Sequence, residues 1–265
     1  MLIFAVPVVF PAGLSSSLRS ARVVAVIPAR YQSTRLPGKP LALIDGRPMI
    51  EHVYRRAEAA TTVDAVLVAT DDERVADAVS AFGGTAVMTR VDHPSGTDRL
   101  AEVAAVLDSE LLVNVQGDLP LILPDPIDDT VRLMDANPTL SMGTLRREIT
   151  RADDITNPSV VKVVVDLNGN ALYFSRATIP ATRAGNAPAK IWKHLGLYVY
   201  RREFLLRIAR LPGTPLEQSE SLEQLRVLEH GFKIGTVETT LDTIEVDTPE
   251  DLARARQLVE AGVRS

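Results

Sequence analysis

The chain has 265 residues, 46% hydrophobic and 24% charged, close to the soluble globular average and enough for a sizeable buried core. Collagen, a coiled coil and a largely disordered chain are excluded. A formal charge of −5 gives no basic footprint for nucleic acid, and the lack of cysteine removes disulfides, thiolate metal sites and a cysteine nucleophile, which suits a reducing, cytoplasmic setting.

Residues 1–21, MLIFAVPVVFPAGLSSSLRSA, are apolar and then Ser-rich, loosely like a secretion signal. The start lacks the Lys or Arg of a signal's n-region, and Pro7 and Pro11 interrupt the apolar run. That run is also well short of the ~20 residues that cross a bilayer, as is every later one. The segment is therefore read as a disordered extension, and no membrane association is expected.

From Arg22 onward, apolar β-rich runs alternate with helical patterns, the signature of strands joined by crossover helices in a parallel sheet. RVVAVIP, AVLVAT, GTAVMT and ELLVNVQ read as strands buried on both faces. Between them Pro48–Ala60, Asp72–Phe82 and Gly96–Leu107 carry helical spacing. LSMGTLRR, SVVKVVVD, NALYFS and HLGLYVYR form a β-rich lobe over roughly residues 140–200, with Asn168-Gly169 as a hairpin turn. Helical patterns return at Arg202–Arg210 and Leu216–Glu229, followed by a strand KIGTVET and a last helix from Thr248. IPATRAGNAPAK reads as a mobile loop. Residues 22–265 are thus expected to form a single α/β domain with an inserted β-rich lobe.

In open α/β sheets ligands bind outside the carboxyl ends of the strands, so the loops after Ile27, Ala69 and Val115 should line a site that includes Ala29 and Thr70. IPARYQSTRLPGKP, directly after the first strand, holds Arg30, Ser33, Arg35 and Lys39 among small and turn-forming residues, as a loop around a polyphosphate requires. It is neither a Walker A loop nor a Rossmann fingerprint. A solvated turn is the alternative. Gln116-Gly117-Asp118 closes the LLVNV run, and Asp247 ends another strand before Thr248-Pro249. Exposed carboxylates at strand ends can hold Mg²⁺, although each also fits a turn or helix start. Ser95, Gly96 and Thr97 open a helix and allow close approach, with capping as the simpler role. Arg176, His194, Tyr198, Glu217, Gln218, Glu220 and Gln224 form a polar set in the second half that suits an acidic sugar.

Taken in order, IPARYQSTRLPGKPL, HPSGTDRLAEV, VNVQGD, NPSVVKVV, ALYFSRATIP, PLEQSESLEQLRVLEHG and VDTPEDL resemble the 3-deoxy-manno-octulosonate cytidylyltransferases, or CMP-Kdo synthetases. The resemblance runs from about Val23 to the final helix. It implies a homodimeric nucleotidyltransferase of glycosyltransferase-A-like α/β fold that makes CMP-Kdo and pyrophosphate from CTP and Kdo with Mg²⁺, for lipopolysaccharide synthesis. On this resemblance Arg30 and Lys39 hold the triphosphate, while Ser95, Gly96, Thr97 and Gln116 frame the cytidine. Asp118 and Asp247 bind the metal, and Arg176, His194, Tyr198 and the Glu217–Gln224 segment orient the sugar acid. Two positions depart from the pattern. Leu119 stands where a carboxylate follows the metal aspartate, and Ala181 stands where an aromatic follows the proline. They leave open a different acidic sugar, such as a sialic-acid-like or variant Kdo acceptor, or a non-catalytic nucleotide-binding homologue.

Overall fold

The computed structural model describes residues 15–33, 35–93, 95–187, 189–242 and 244–262. They fall into two compact units, one of residues 1–124 with 243–265, the other Asp125–Asp242. The segment of roughly 140–200 read as a β-rich lobe falls within the second of these units.

The first unit runs through α1 (Ser16–Arg19), β1 (Val23–Ala29), the short strands β2 (Leu43–Ile44) and β3 (Arg47–Pro48), and α2 (Met49–Glu58). It continues with β4 (Ala65–Thr70), α3 (Glu73–Ala81), β5 (Ala86–Met88), α4 (Gly96–Ala104) and β6 (Leu111–Asn114). β1 pairs in parallel with both β4 and β6, and β4 with β5, so β1 lies inside the sheet. That position explains its composition: Val23, Val24, Ala25, Val26 and Ile27 are all fully buried. Burial of each Val or Ile is worth about 1.5–3 kcal/mol. α2 buries Ile50, Val53, Tyr54 and Ala57 at helical spacing, together with Met49 at its start.

The second unit contains α5 (Pro124–Ala136), β7 (Met142–Glu148), α6 (Ala152–Thr156), β8 (Lys162–Val165), β9 (Ala171–Ser175) and β10 (Trp192–Arg201). α7 (Arg202–Ile208), α8 (Pro215–Glu220), α9 (Gln224–Glu229) and β11 (Ile234–Glu238) complete it. β7 pairs antiparallel with β10 and parallel with β11, while β8 pairs antiparallel with β10 and β9. The β8–β9 hairpin turns at Gly169, whose φ of 79° favours glycine. The helix expected over Leu216–Glu229 is two helices, because Ser221 takes the left-handed conformation at φ 52° and closes α8.

The chain then returns to the first unit as α10 (Pro249–Glu260). Thr248 is its cap, in a capping box with Asp251, so the helix begins one residue after the expected start. Leu252 and Ala255 of α10 pack with Ile44, Met49 and Val246. This packing anchors the segment that carries Asp247.

Residues 1–14 of the expected extension lie outside the described residues. Within residues 15–20, Ser15 caps α1, and the Arg19 carbonyl accepts the Asp108 N–H at 2.9 Å. No helix among the described residues is long and apolar enough to cross a membrane.

Candidate active site

The loops that follow β1 and β6 and the segment before the α10 cap meet at one lysine. Lys39 Nζ donates to Asp118 Oδ2 at 2.9 Å and to Asp247 Oδ1 at 3.1 Å. Arg35 adds an ion pair to Asp247 Oδ2 at 2.9 Å. Three segments far apart in sequence are placed by local chemistry. Gly38 adopts φ 69°, donates its N–H to the Tyr31 carbonyl at 3.1 Å, and begins the 3₁₀ turn that presents Lys39. The strand expected to end at Asp247 does not form: residues 244–247 are irregular, and the Asp118 carbonyl accepts the Val246 N–H at 2.9 Å, tying the β6 exit to the segment before α10. A Cβ on Gly117 would stand 2.8 Å from the Pro28 carbonyl oxygen, so only glycine lets the β6 exit lie against β1.

Burial pulls the pKa of Lys39 down, but the charges and hydrogen bonds of Asp118 and Asp247 outweigh it, leaving the ammonium above its ordinary value. The cluster opens into a cleft of about 420 Å³ whose lining includes Arg30, Lys39, Gly96, Gln116, Asp118 and Asp247. A second cleft, of about 560 Å³, shares Arg30, Gln32 and Ser33 with the first and adds Tyr31, Asp71 and Asp72.

Asp118 and Asp247 direct their carboxylates at one cationic point. That donor pair suits a hard cation which takes one or two carboxylates and completes its shell with phosphate oxygens and water. Among the described residues, no group of three or more His, Cys, Asp and Glu side chains gathers in a metal-binding arrangement.

Not every nucleotide-side candidate faces the clefts. Thr70 is fully buried, and its hydroxyl accepts the Asp72 N–H at 3.2 Å, supporting the turn after β4. Ser95 caps α4, with its hydroxyl 3.2 Å from the Asp98 N–H and 2.7 Å from the Asp98 carboxylate. Gly96 and Gln116 line the smaller cleft, as does Ala29, itself almost wholly buried. Thr97 lies at the half-buried start of α4.

The second unit brings part of its polar set together. The rings of His194 and Tyr198 lie 5.4 Å apart on β10, and the Tyr198 hydroxyl reaches Gln224 Oε1 at 3.4 Å. Thr144 donates its hydroxyl proton to the Leu197 carbonyl at 2.7 Å. Its oxygen therefore accepts the N–H of His194 Nε2 at 2.9 Å, which leaves Nδ1 as an acceptor. Burial holds the His194 pKa down at about 3, so the ring is neutral at physiological pH.

Other members of the set are committed to the fold. Glu217 accepts two bonds from Arg226, at 2.8 and 2.6 Å, and completes the α8 capping box. These bonds hold its carboxylate to the start of α8. Arg176 donates to the carbonyls of Glu220, Pro158 and Ser221, while Glu220 accepts from Ser175 and from the Arg176 N–H. Gln218 is exposed on α8.

A family model described as Cytidylyltransferase matches residues 24–234. A 3-deoxy-manno-octulosonate cytidylyltransferase of Pelobacter propionicus is 53% identical over 249 residues, covering 90% of this chain and 98% of that protein. The enzyme of the same name from Geobacter metallireducens is 54% identical over 241 residues, covering 87% and 95%. A solved structure, CMP:2-keto-3-deoxy-manno-octonic acid synthetase complexed with CTP, superposes with a TM-score of 0.87 at 48% identity, covering 91% of this chain and all of that one.

The chain belongs to the 3-deoxy-manno-octulosonate cytidylyltransferase family. It is therefore a nucleotidyltransferase, with the mostly parallel α/β architecture expected from its sequence. The fold extends further: 4-diphosphocytidyl-2C-methyl-D-erythritolsynthase from Anaerococcus prevotii shares it at a TM-score of 0.59 and 14% identity.

Within this cytidylyltransferase, the two departures fall in different places. Leu119 is 1% exposed and packs inside the protein. Ala181 stands exposed in the loop after β9. Sequence reasoning did not single out Tyr31, Asp71 or His93. Asp71 could have been found from its place directly after β4, whereas the Arg74 guanidinium 3.4 Å over the Tyr31 ring joins positions that no motif connects.

Proposed function

We propose that this chain transfers CMP from CTP to the anomeric hydroxyl of Kdo, or a close 2-keto-3-deoxy sugar acid, and releases pyrophosphate. The observation that carries the reading is the convergence of Lys39, Asp118 and Asp247 at a cleft in a chain 48% identical to a synthetase solved with CTP. Arg30, Arg35 and Lys39 supply the positive charge that binds and orients a triphosphate and stabilises charge developing on it during in-line attack at the α-phosphorus. Asp118 and Asp247 are the residues that would hold Mg²⁺, which when bound polarises phosphoryl oxygens and neutralises leaving-group charge. His194, neutral and with Nδ1 open as an acceptor, suits a sugar hydroxyl, and Tyr198 and Gln224 extend that polar surface. The sugar oxygen forms the new bond to phosphorus as the bond to the β-phosphate bridge breaks. Homodimerisation and a cytoplasmic place alongside the CTP pool belong to the same reading.

The test is pyrophosphate release with CTP and Mg²⁺ across Kdo, its 8-amino analogue, a sialic acid and a no-sugar control, with Asp118→Ala in parallel. Turnover with Kdo that falls at least a hundredfold in Asp118→Ala supports the reading. Turnover with the sialic acid alone moves the acceptor, and CTP binding without release from any acceptor overturns catalysis.

A further inference from the structure

One face of α4 reaches behind the two clefts with a charged pair of side chains three residues apart, Arg99 and Glu102. Arg99 is fully buried, an expensive place for a guanidinium. It donates to Asp71 Oδ2 at 2.8 Å and to the Thr89 hydroxyl, while its Nε has no partner among the described residues. Thr89 in turn donates to the Thr70 carbonyl at 3.1 Å, so Arg99 fixes the exit of β4 and the start of the loop that follows β5.

Glu102 fixes the remainder of that loop. Its Oε2 accepts the Arg90 N–H at 3.1 Å and pairs closely with His93 Nε2. Both side chains are nearly enclosed, at 3% exposure for His93 and 11% for Glu102. The His93 carbonyl then accepts Arg30 Nη2 at 2.6 Å. Arg30 lines both clefts. A contiguous set of bonds therefore leads from α4 to the cation at the head of the nucleotide loop. Incomplete satisfaction of Arg99 argues against a brace retained for stability alone, because replacement by packed apolar side chains would avoid that cost.

The geometry points to Glu102 as a positioning residue for Arg30, acting through His93, with Arg99 anchoring the other end of the same loop. This inference rests on the reading that Arg30 binds the triphosphate. Displacing a phosphate-binding guanidinium by about 1 Å can cost up to ~100-fold in rate, even when the altered residue touches no substrate.

A double-mutant cycle on the full chain tests it, reading kcat/KM for CTP in pyrophosphate release and, separately, CTP affinity by calorimetry without acceptor. Arg30→Ala is expected to lower kcat/KM by about a hundredfold and Glu102→Ala by about tenfold, while the double variant matches Arg30→Ala alone. Glu102→Gln, which keeps an acceptor for the Arg90 N–H, recovers part of the loss at unchanged melting temperature and guards against misfolding of the alanine variant. A costly Arg30→Ala combined with multiplying losses, about a thousandfold in the double variant, overturns the positioning role and leaves the function intact. An Arg30→Ala variant that binds and turns over CTP normally overturns both the role of Arg30 and the inference built on it.

Discussion

His194 shows how one burial sets both chemistry and stability. The ring sits against Phe174, with centroids 5.0 Å apart, and its Nε2–H is engaged by Thr144. Its folded pKa of about 3 is depressed below the ordinary value of 6.5. Above that ordinary value neither state binds the proton and the site is neutral to stability. As pH falls through 6.5 towards 3, the unfolded chain takes up a proton that the native ring refuses, so stability is lost. The loss attributable to this residue is about 2 kcal/mol at pH 5. Urea unfolding at pH 7.5 and pH 5 should therefore show wild type losing about 2 kcal/mol more than His194→Gln, since glutamine titrates nowhere in that range. Parallel losses in the two proteins would mean that the ring is protonated in the native state. Lys39 has the opposite tendency, because its two carboxylates hold it charged. It remains a cation wherever the enzyme is assayed, which a triphosphate-binding role requires.

At the scale of elements, the site depends on how tightly the β6 exit lies on β1. Gly117→Ala would force a Cβ to 2.8 Å from the Pro28 carbonyl oxygen, backbone against backbone, with no flexible side chain to yield. The expected cost is about 1–3 kcal/mol in thermal stability, together with loss of turnover as Asp118 is displaced. A variant with unchanged melting temperature and full activity would show that the close approach is dispensable. The parallel strands were legible because β1, β4 and β6 are apolar at successive positions, and α2 because its buried residues recur at helical spacing. α5 was not, since its Pro- and Asp-rich start, PDPIDD, hides the helical stripe that follows. The helix tolerates prolines in its first turn and earns its stability from the buried Ile127, Val131 and Met134 stripe. The α8–α9 break was hidden for a related reason: helical periodicity continues across residues 221–223, where the positive φ of Ser221 ends α8. Cation loop and strand-end aspartates were visible as types of residue, but the meeting of Lys39 with Asp247, 208 positions away, is a tertiary fact.

At the scale of the molecule, that separation describes how the first unit is built. The chain leaves it after Pro124, forms the whole of the second unit, and returns to contribute Asp247 and α10. The carboxylate pair is therefore assembled only when the last segment has docked through Val246, Leu252 and Ala255. A ligand that uses this pair must stabilise the docked state by mass action. With Mg²⁺ present, each tenfold rise in free CTP beyond its dissociation constant should add about 1.4 kcal/mol to unfolding stability. The melting temperature should accordingly climb linearly with the logarithm of CTP concentration. Asp118→Ala should shift that climb to higher CTP, because the metal-assisted share of affinity is lost while Arg30 and Lys39 remain. Calorimetric scans across three decades of CTP separate the outcomes. Identical curves for the two proteins would remove Asp118 from nucleotide binding, and flat curves for both would show that the docked carboxylates and cations do not bind CTP.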